Sequence, residues 1–131
     1  VLLMFIDLNQ FKWVNDKLGH VAGDSLLQQV AMRLAVNIRG ADTACRYGGD
    51  EFVVMLPEIE GQHSADAAVH KIRAQLAAPY VIDGQVITLT ASVGTALYYG
   101  DKQSGEDLIR QADLDMSHAK ANSKPPTLSL A

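Results

Sequence analysis

The sequence predicts an α+β domain, a ferredoxin-like or palm-type sandwich with a central, mainly antiparallel sheet flanked by helices. Three observations carry this. The chain opens on VLLMFIDL, an unbroken apolar run ending at an acid, which is the pattern of a central strand buried on both faces. Two runs with helical spacing, one from Asp24 and one from Ser64, lie on either side of a hairpin pattern around Gly48-Gly49. A second hairpin around Asp83-Gly84 and a third helix follow, so the order is β-α-β-β-α-β-β-α.

Each element has its own justification. NQFKWVNDKLGHVAGD is polar and punctuated by glycine, and reads as a connection holding one short helix. From Asp24, residues Leu26, Leu27, Val30, Ala31, Leu34, Ala35 and Ile38 recur at three- and four-residue spacing until Gly40 stops the run. TACRY and FVVMLP flank the glycine pair as strands, and Cys45 is expected to point into the core from the first of them. Ser64 opens a helix with Ala68, Val69, Ile72 and Leu76 on one face, closed by Pro79. YVIDGQVITLTASVGTALYY reads as a hairpin. After its turn Ile87, Leu89, Ala91 and Val93 alternate with Thr88, Thr90 and Ser92. SGED at 104–107 fits a capping box, and the helix behind it places Leu108, Ile109, Ala112, Met116 and Ala119 inward. Residues 123–131 are Pro-rich and read as a linker or an altered final strand.

Composition narrows the function classes. The 131 residues fit one domain, 1–131, with 48% hydrophobic and 20% charged residues. A net charge of −4 argues against a surface built for a nucleic acid polymer. Cys45 is the only cysteine, which excludes an internal disulfide and a cysteine-rich zinc site. No run approaches the roughly 18 apolar residues of a membrane helix. VLLMFI lacks the basic start and cleavage site of a signal peptide. A reducing, cytoplasmic compartment is therefore expected, with no membrane contact from this domain. Because the chain begins inside a strand, the expectation is one domain without its N-terminal segment, cut from a longer protein that could carry a membrane anchor elsewhere.

The chemistry is concentrated in acids. Asp7 stands where the first strand runs out, and Asp50 and Glu51 stand at the hairpin tip. If these strands are neighbours, the three carboxylates converge at one sheet edge, where they repel unless a cation lies between them. Oxygen ligands of this kind select Mg²⁺, which is usually held by one or two carboxylates together with substrate phosphates. Gly48 and Gly49 would let a nucleotide approach the backbone. The pattern reads as a nucleoside-triphosphate site with one or two metals; acids solvated at strand ends and turns fit the spacing equally well. The absence of GxxxxGK[ST] excludes a P-loop.

RYGGDEF, residues 46–52, resembles the signature of the GGDEF family of bacterial diguanylate cyclases. FIDLNQFKWVNDKLGHVAGDSLL resembles the family's other long block, D-x-D-x-F-K-x-x-N-D-x-x-G-H-x-x-G-D-x-x-L, and ASVGTA and QADLDMSHAK resemble later segments. The likeness covers nearly the whole chain. It implies condensation of two GTP into cyclic di-GMP and two pyrophosphates, by a homodimer in which two GTP-loaded sites face each other. It implies Mg²⁺ (or Mn²⁺) on Asp7, Asp50, Glu51 and the Leu8 carbonyl, with Asp50 and Glu51 catalytic and Glu51 also suited to help deprotonate the 3′-hydroxyl. Asn15 and Asp24 would read the guanine edge. Lys12 and Lys120 would lie near the phosphates, and Phe11, Gly48 and Gly49 would complete the substrate site. Arg39 and Asp42, with Lys71 or Arg73, would form an inhibitory site for cyclic di-GMP. The alternative is a weak or inactive regulatory domain that binds GTP or cyclic di-GMP. Fusion to other signalling domains is implied in either case.

Simpler roles stand beside these. Asp24 could cap its helix, Asn15 could serve a turn, and Phe11 and Trp13 could be packing residues. Arg39 could complement a helix C-terminus, and Lys120 could be an ordinary solvated lysine. The chain departs from the family at Asn9, where the second acid of D-x-D is usual, and at Ser117, Ser123, Lys124 and Pro125 near the end. Lys124 in place of Arg loses the guanidinium fork.

Overall fold

The computed structural model describes residues 1–100, 104–121 and 126–130. In chain order the elements are β1 (Leu2–Leu8), α1 (Phe11–Leu18), α2 (His20–Val36), β2 (Thr43–Arg46), β3 (Glu51–Leu56), α3 (Gln62–Ala77), β4 (Tyr80–Ile82), β5 (Gln85–Thr88), β6 (Ala91–Leu97), α4 (Gly105–Lys120) and β7 (Thr127–Leu130). The main sheet has the order β2-β3-β1-β6, and a smaller sheet has the order β4-β5-β7. All described pairings are antiparallel. This is the α+β architecture the sequence predicts.

β1 is central, and its side chains divide between two faces. Leu2, Met4, Ile6 and Leu8 join the large core with Val14, Leu26, Val30, Leu34, Ile72 and Leu76. Phe5 packs on the other face with Ala96, Ala112 and Met116. By the same alternation Asp7 belongs to that second face, under α4. Helix α4 lies with its backbone directly on β6: a Cβ on Gly94 would come within 2.0 Å of the Ala112 carbonyl oxygen and 2.1 Å of the Met116 nitrogen.

Several expectations need correction. The short helix read in the connection after β1 is present as α1, but α2 begins at His20, one turn ahead of Asp24. Asp24 is therefore not a helix cap. The break falls at Gly19, whose φ of 91° suits glycine alone. Helix α2 ends before Ile38, and α3 begins at Gln62 instead of Ser64. The second hairpin exists as β4-β5, with Asp83 and Gly84 at φ 51° and 75° in its turn. The alternating run after it is divided, because β5 and β6 belong to different sheets. Cys45 is exposed on the edge strand β2, and Ala44 packs toward the core instead. Ile109 is exposed, whereas Ala112 and Met116 are buried. The capping box forms as read: Ser104 Oγ accepts from the Asp107 amide, and the Asp107 carboxylate accepts from the Ser104 amide. Part of the tail is the strand β7, paired with β5. Ser123, Lys124 and Pro125 lie outside the described residues.

Candidate active site at the end of the first strand

The register of the sheet places the acids. β1 pairs with β3 so that Asp7 stands opposite Glu51, and with β6 so that Asp7 stands opposite Ser92. The Leu8 amide donates to the Asp50 carbonyl at 3.3 Å, which ties the Gly48–Glu51 turn to the end of β1. Asn9 fixes this end from the other side. Its side-chain nitrogen donates to Thr90 Oγ1 at 2.7 Å, and its side-chain oxygen accepts from Ser92 Oγ at 2.6 Å. The amide that replaces the usual acid thus serves one donor and one acceptor on a buried β1–β6 seam.

Asp7 is 3% exposed. Its Oδ2 accepts from Lys120 Nζ at 2.6 Å, at the end of α4. Its Oδ1 is buried without a hydrogen-bond partner among the described residues. Burial pushes the Asp7 carboxyl up to about 6; the Lys120 hydrogen bond opposes this, and the charge of Asp50 adds to it. Lys120 is raised in turn, chiefly by its bond to Asp7. A buried carboxylate with one orphaned oxygen fits a divalent cation as its missing partner. No three His, Cys, Asp or Glu side chains among the described residues gather closely enough to hold an ion as they stand, although Asp50 lies near enough to act on the Asp7 carboxyl. Lys120 takes one oxygen of Asp7, and the charges of Asp50 and Glu51 act on the same ammonium. The protein ligand set is thus short, which suits an ion that also takes phosphate and water oxygens.

The glycine turn is not demanded by folding. Neither Gly48 nor Gly49 has a positive φ. A Cβ at Gly49 would meet nothing within 4 Å, and one at Gly48 would only touch Glu51 Cβ at 4.0 Å. Both glycines are exposed, so they leave open space above the turn. Arg46, to which the sequence reading gives no role, shapes this turn. Its Nε donates to the Gly48 and Gly49 carbonyls at 3.0 Å each, and its Nη2 donates to the Gly49 carbonyl at 2.7 Å. The signal for it is the arginine that opens RYGGDEF.

A cavity of about 470 Å³ opens beside the turn, lined by Asp24, Gln28, Cys45, Arg46 and Phe52 among others. Asp24 is exposed there. The model of the diguanylate cyclase GGDEF domain matches residues 1–125. The chain belongs to the GGDEF family. The bifunctional diguanylate cyclase/cyclic di-GMP phosphodiesterase MucR of Pseudomonas aeruginosa is 45% identical over 120 residues, 90% of this chain and 17% of MucR. Diguanylate cyclase A of Treponema denticola is 37% identical over 123 residues, 93% of this chain and 33% of the relative. The chain thus spans a third or less of these relatives. The GGDEF domain of TpbB from Pseudomonas aeruginosa superposes with a TM-score of 0.86 at 36% identity, covering 92% of this chain and 75% of that one. The GGDEF domain of DgcB from Caulobacter crescentus, in complex with c-di-GMP, has a TM-score of 0.80 at 26% identity, covering 92% and 71%.

The remaining residues fall into two groups on this GGDEF fold. Asn15 lies on α1 against α2, where a Cβ on Gly23 would sit 1.8 Å from its Oδ1, an atom with no partner among the described residues. Lys12 is exposed on α1. Phe11 is 6% exposed in the main core, which is a packing position. Arg39, Asp42 and Lys71 border one cavity of about 250 Å³ with Asn37 and Glu58. Asp42 also closes its own turn, accepting from the Arg39 amide at 3.1 Å. Arg73 is not part of this cavity and borders another one with His70 and Thr90. No helix of the described residues is long and apolar enough to cross a membrane.

Proposed function

We propose that this domain is a diguanylate cyclase that condenses two GTP into cyclic di-GMP, with release of two pyrophosphates, as a two-fold homodimer. The carrying observation is the buried Asp7 carboxylate, with its orphaned oxygen, one strand away from the open Gly48-Gly49-Asp50-Glu51 turn. In this reading Asp7, Asp50, Glu51 and the Leu8 carbonyl hold Mg²⁺ (or Mn²⁺), which supplies charge neutralisation on the phosphates and lowers the pKa of the attacking hydroxyl. Asp24 and Asn15 accept from and orient the guanine. Lys12 and Lys120 face the phosphates, and Gly48 and Gly49 leave room for them. Each 3′-oxygen attacks the α-phosphorus of the GTP in the facing domain; a P–O bond forms, the bond to pyrophosphate breaks, and the hydroxyl proton leaves to a basic group such as Glu51. One domain binds one nucleotide, so the reaction needs two copies. The cavity bordered by Arg39, Asp42 and Lys71 is proposed as the inhibitory site for cyclic di-GMP, the guanidinium fork suiting a phosphate or a guanine edge. The domain is placed in the cytoplasm, within a larger signalling protein.

The test is incubation with GTP and Mg²⁺, followed by nucleotide separation, beside an Asp50→Ala variant. Cyclic di-GMP from the parent alone supports the reading, and its absence at high protein concentration overturns it. A second reading, a regulatory domain that binds nucleotide without turnover, draws on one relative. The cyclic di-GMP phosphodiesterase NbdA of Pseudomonas aeruginosa is 38% identical over 119 residues, 91% of this chain and 15% of NbdA. Saturable GTP binding without product would favour it.

A further inference from the structure

The cation nearest Asp7 is part of the chain. Lys120 Nζ lies 2.6 Å from Asp7 Oδ2, and the charges of Asp50 and Glu51 act on the same ammonium. The two partners differ in freedom. The Asp7 side chain is 5% exposed and belongs to a central strand, whereas the Lys120 side chain is 45% exposed and sits on the last residue of α4. A buried carboxylate cannot turn to water when its partner leaves, but a lysine on a flexible four-carbon stem can. Another cation arriving at Asp7 therefore has to compete with Lys120 or displace it.

Resting on the proposed metal site, we infer that Lys120 is an exchangeable counter-ion which keeps Asp7 neutralised until nucleotide arrives, and thereby makes divalent-cation binding depend on the nucleotide. Without nucleotide, the ammonium holds one Asp7 oxygen and its positive charge repels a divalent ion. A triphosphate offers the ammonium a second set of anionic oxygens, and its release from Asp7 frees the carboxylate. Metal and nucleotide then bind with positive coupling, and by linkage each raises the affinity of the other by the same factor. Lys120 is thus a positioning residue that acts through Asp7, which is distinct from simple phosphate contact. Phosphate contact alone would leave the affinity for metal in the absence of nucleotide unchanged when the lysine is removed.

The experiment measures Mn²⁺ binding to the purified domain by electron paramagnetic resonance of the free ion, with and without a non-hydrolysable GTP analogue. The proteins are the parent, Lys120→Met, Lys120→Gln and Arg110→Gln. Arg110 is the control because it is a cation of the same helix, exposed and paired with Asp107. Removing the competing charge should tighten Mn²⁺ binding without nucleotide on the order of tenfold, the scale of one charge-assisted hydrogen bond no longer surrendered. Both Lys120 variants should also show a smaller coupling between analogue and Mn²⁺, the remainder being that of the phosphate oxygens on the ion, and Arg110→Gln should change neither. Unchanged or weaker Mn²⁺ binding in the Lys120 variants, with nucleotide-dependent binding intact in the parent, overturns the inference and leaves the metal site standing. No Mn²⁺ binding by the parent even with the analogue overturns both. Circular dichroism of each variant confirms that the fold is kept.

Discussion

Replacing Asp7 with asparagine should stabilise the metal-free domain at alkaline pH while removing the carboxylate on which the proposed chemistry depends. Asp7 is almost fully buried, and burial is the largest of the effects that lift its carboxyl from 3.8 to about 6. The neighbouring Asp50 charge adds to the lift, and the bond to Lys120 only partly offsets it. At about 1.36 kcal/mol per unit, the rise is equivalent to about 3 kcal/mol. The sign follows from proton binding. The folded chain holds this proton more tightly than the unfolded chain, so ionisation works against folding. Stability therefore falls as pH rises from about 4 through about 6, and the full cost is present above that window. The substituted amide would carry no charge and no such dependence. Near pH 4 the two proteins should be of similar stability; near pH 8 the Asp7→Asn protein should be more stable by about 2–3 kcal/mol. Urea unfolding with a chelator present, followed by the fluorescence of Trp13, checks this across the pH range. Trp13 is the only tryptophan and is half-buried against the core. The difference between the two proteins cancels titrations common to both. An Asp7→Asn protein no more stable than the parent at pH 8 would sink this account, and would show that Lys120 compensates the buried charge in full.

Three further outcomes are expected. Gly94→Ala should destabilise by about 3 kcal/mol or more, because its Cβ would fall within 2.0 Å of the α4 backbone, which cannot move aside as a side chain could; thermal unfolding reads this directly. Arg46→Lys should lower product formation roughly tenfold with the fold intact by circular dichroism, since a point charge cannot reproduce the three hydrogen bonds that hold the Gly48 and Gly49 carbonyls. Arg39→Ala should weaken inhibition by added cyclic di-GMP on the order of tenfold if the cavity beside Asp42 and Lys71 is the inhibitory site, and a titration of rate against product checks it.

The elements legible in the sequence owe this to periodicity over several residues. The apolar run of β1, the three- and four-residue spacing of α2 and the SGED cap each carry their structure locally. Elsewhere that signal is missing. Helix α1 is short and polar on one side, and only its packing through Gly23 and Phe11 shows where it lies. The stretch after Asp83-Gly84 alternates without interruption in sequence, so nothing local marks the point where the chain leaves one sheet for the other. Cys45 faces away from the core because alternation in a four-residue edge strand can be read in either phase, and only the pairing with β3 chooses one.

The site divides in the same way. The acids, the open glycine pair and the family to which they belong can be read from the chain alone, because these depend on residue types in a fixed order. Which groups share a charge environment depends on the packing. Asp7 and Lys120 are 113 positions apart, and they meet only because α4 lies across β6 and β1 with a glycine beneath it. Burial of Asp7, the orphaned oxygen and the upward shift of its carboxyl are properties of that packing. Electrostatic coupling depends on distance and solvent exclusion, and neither is written in the spacing of residues along the chain.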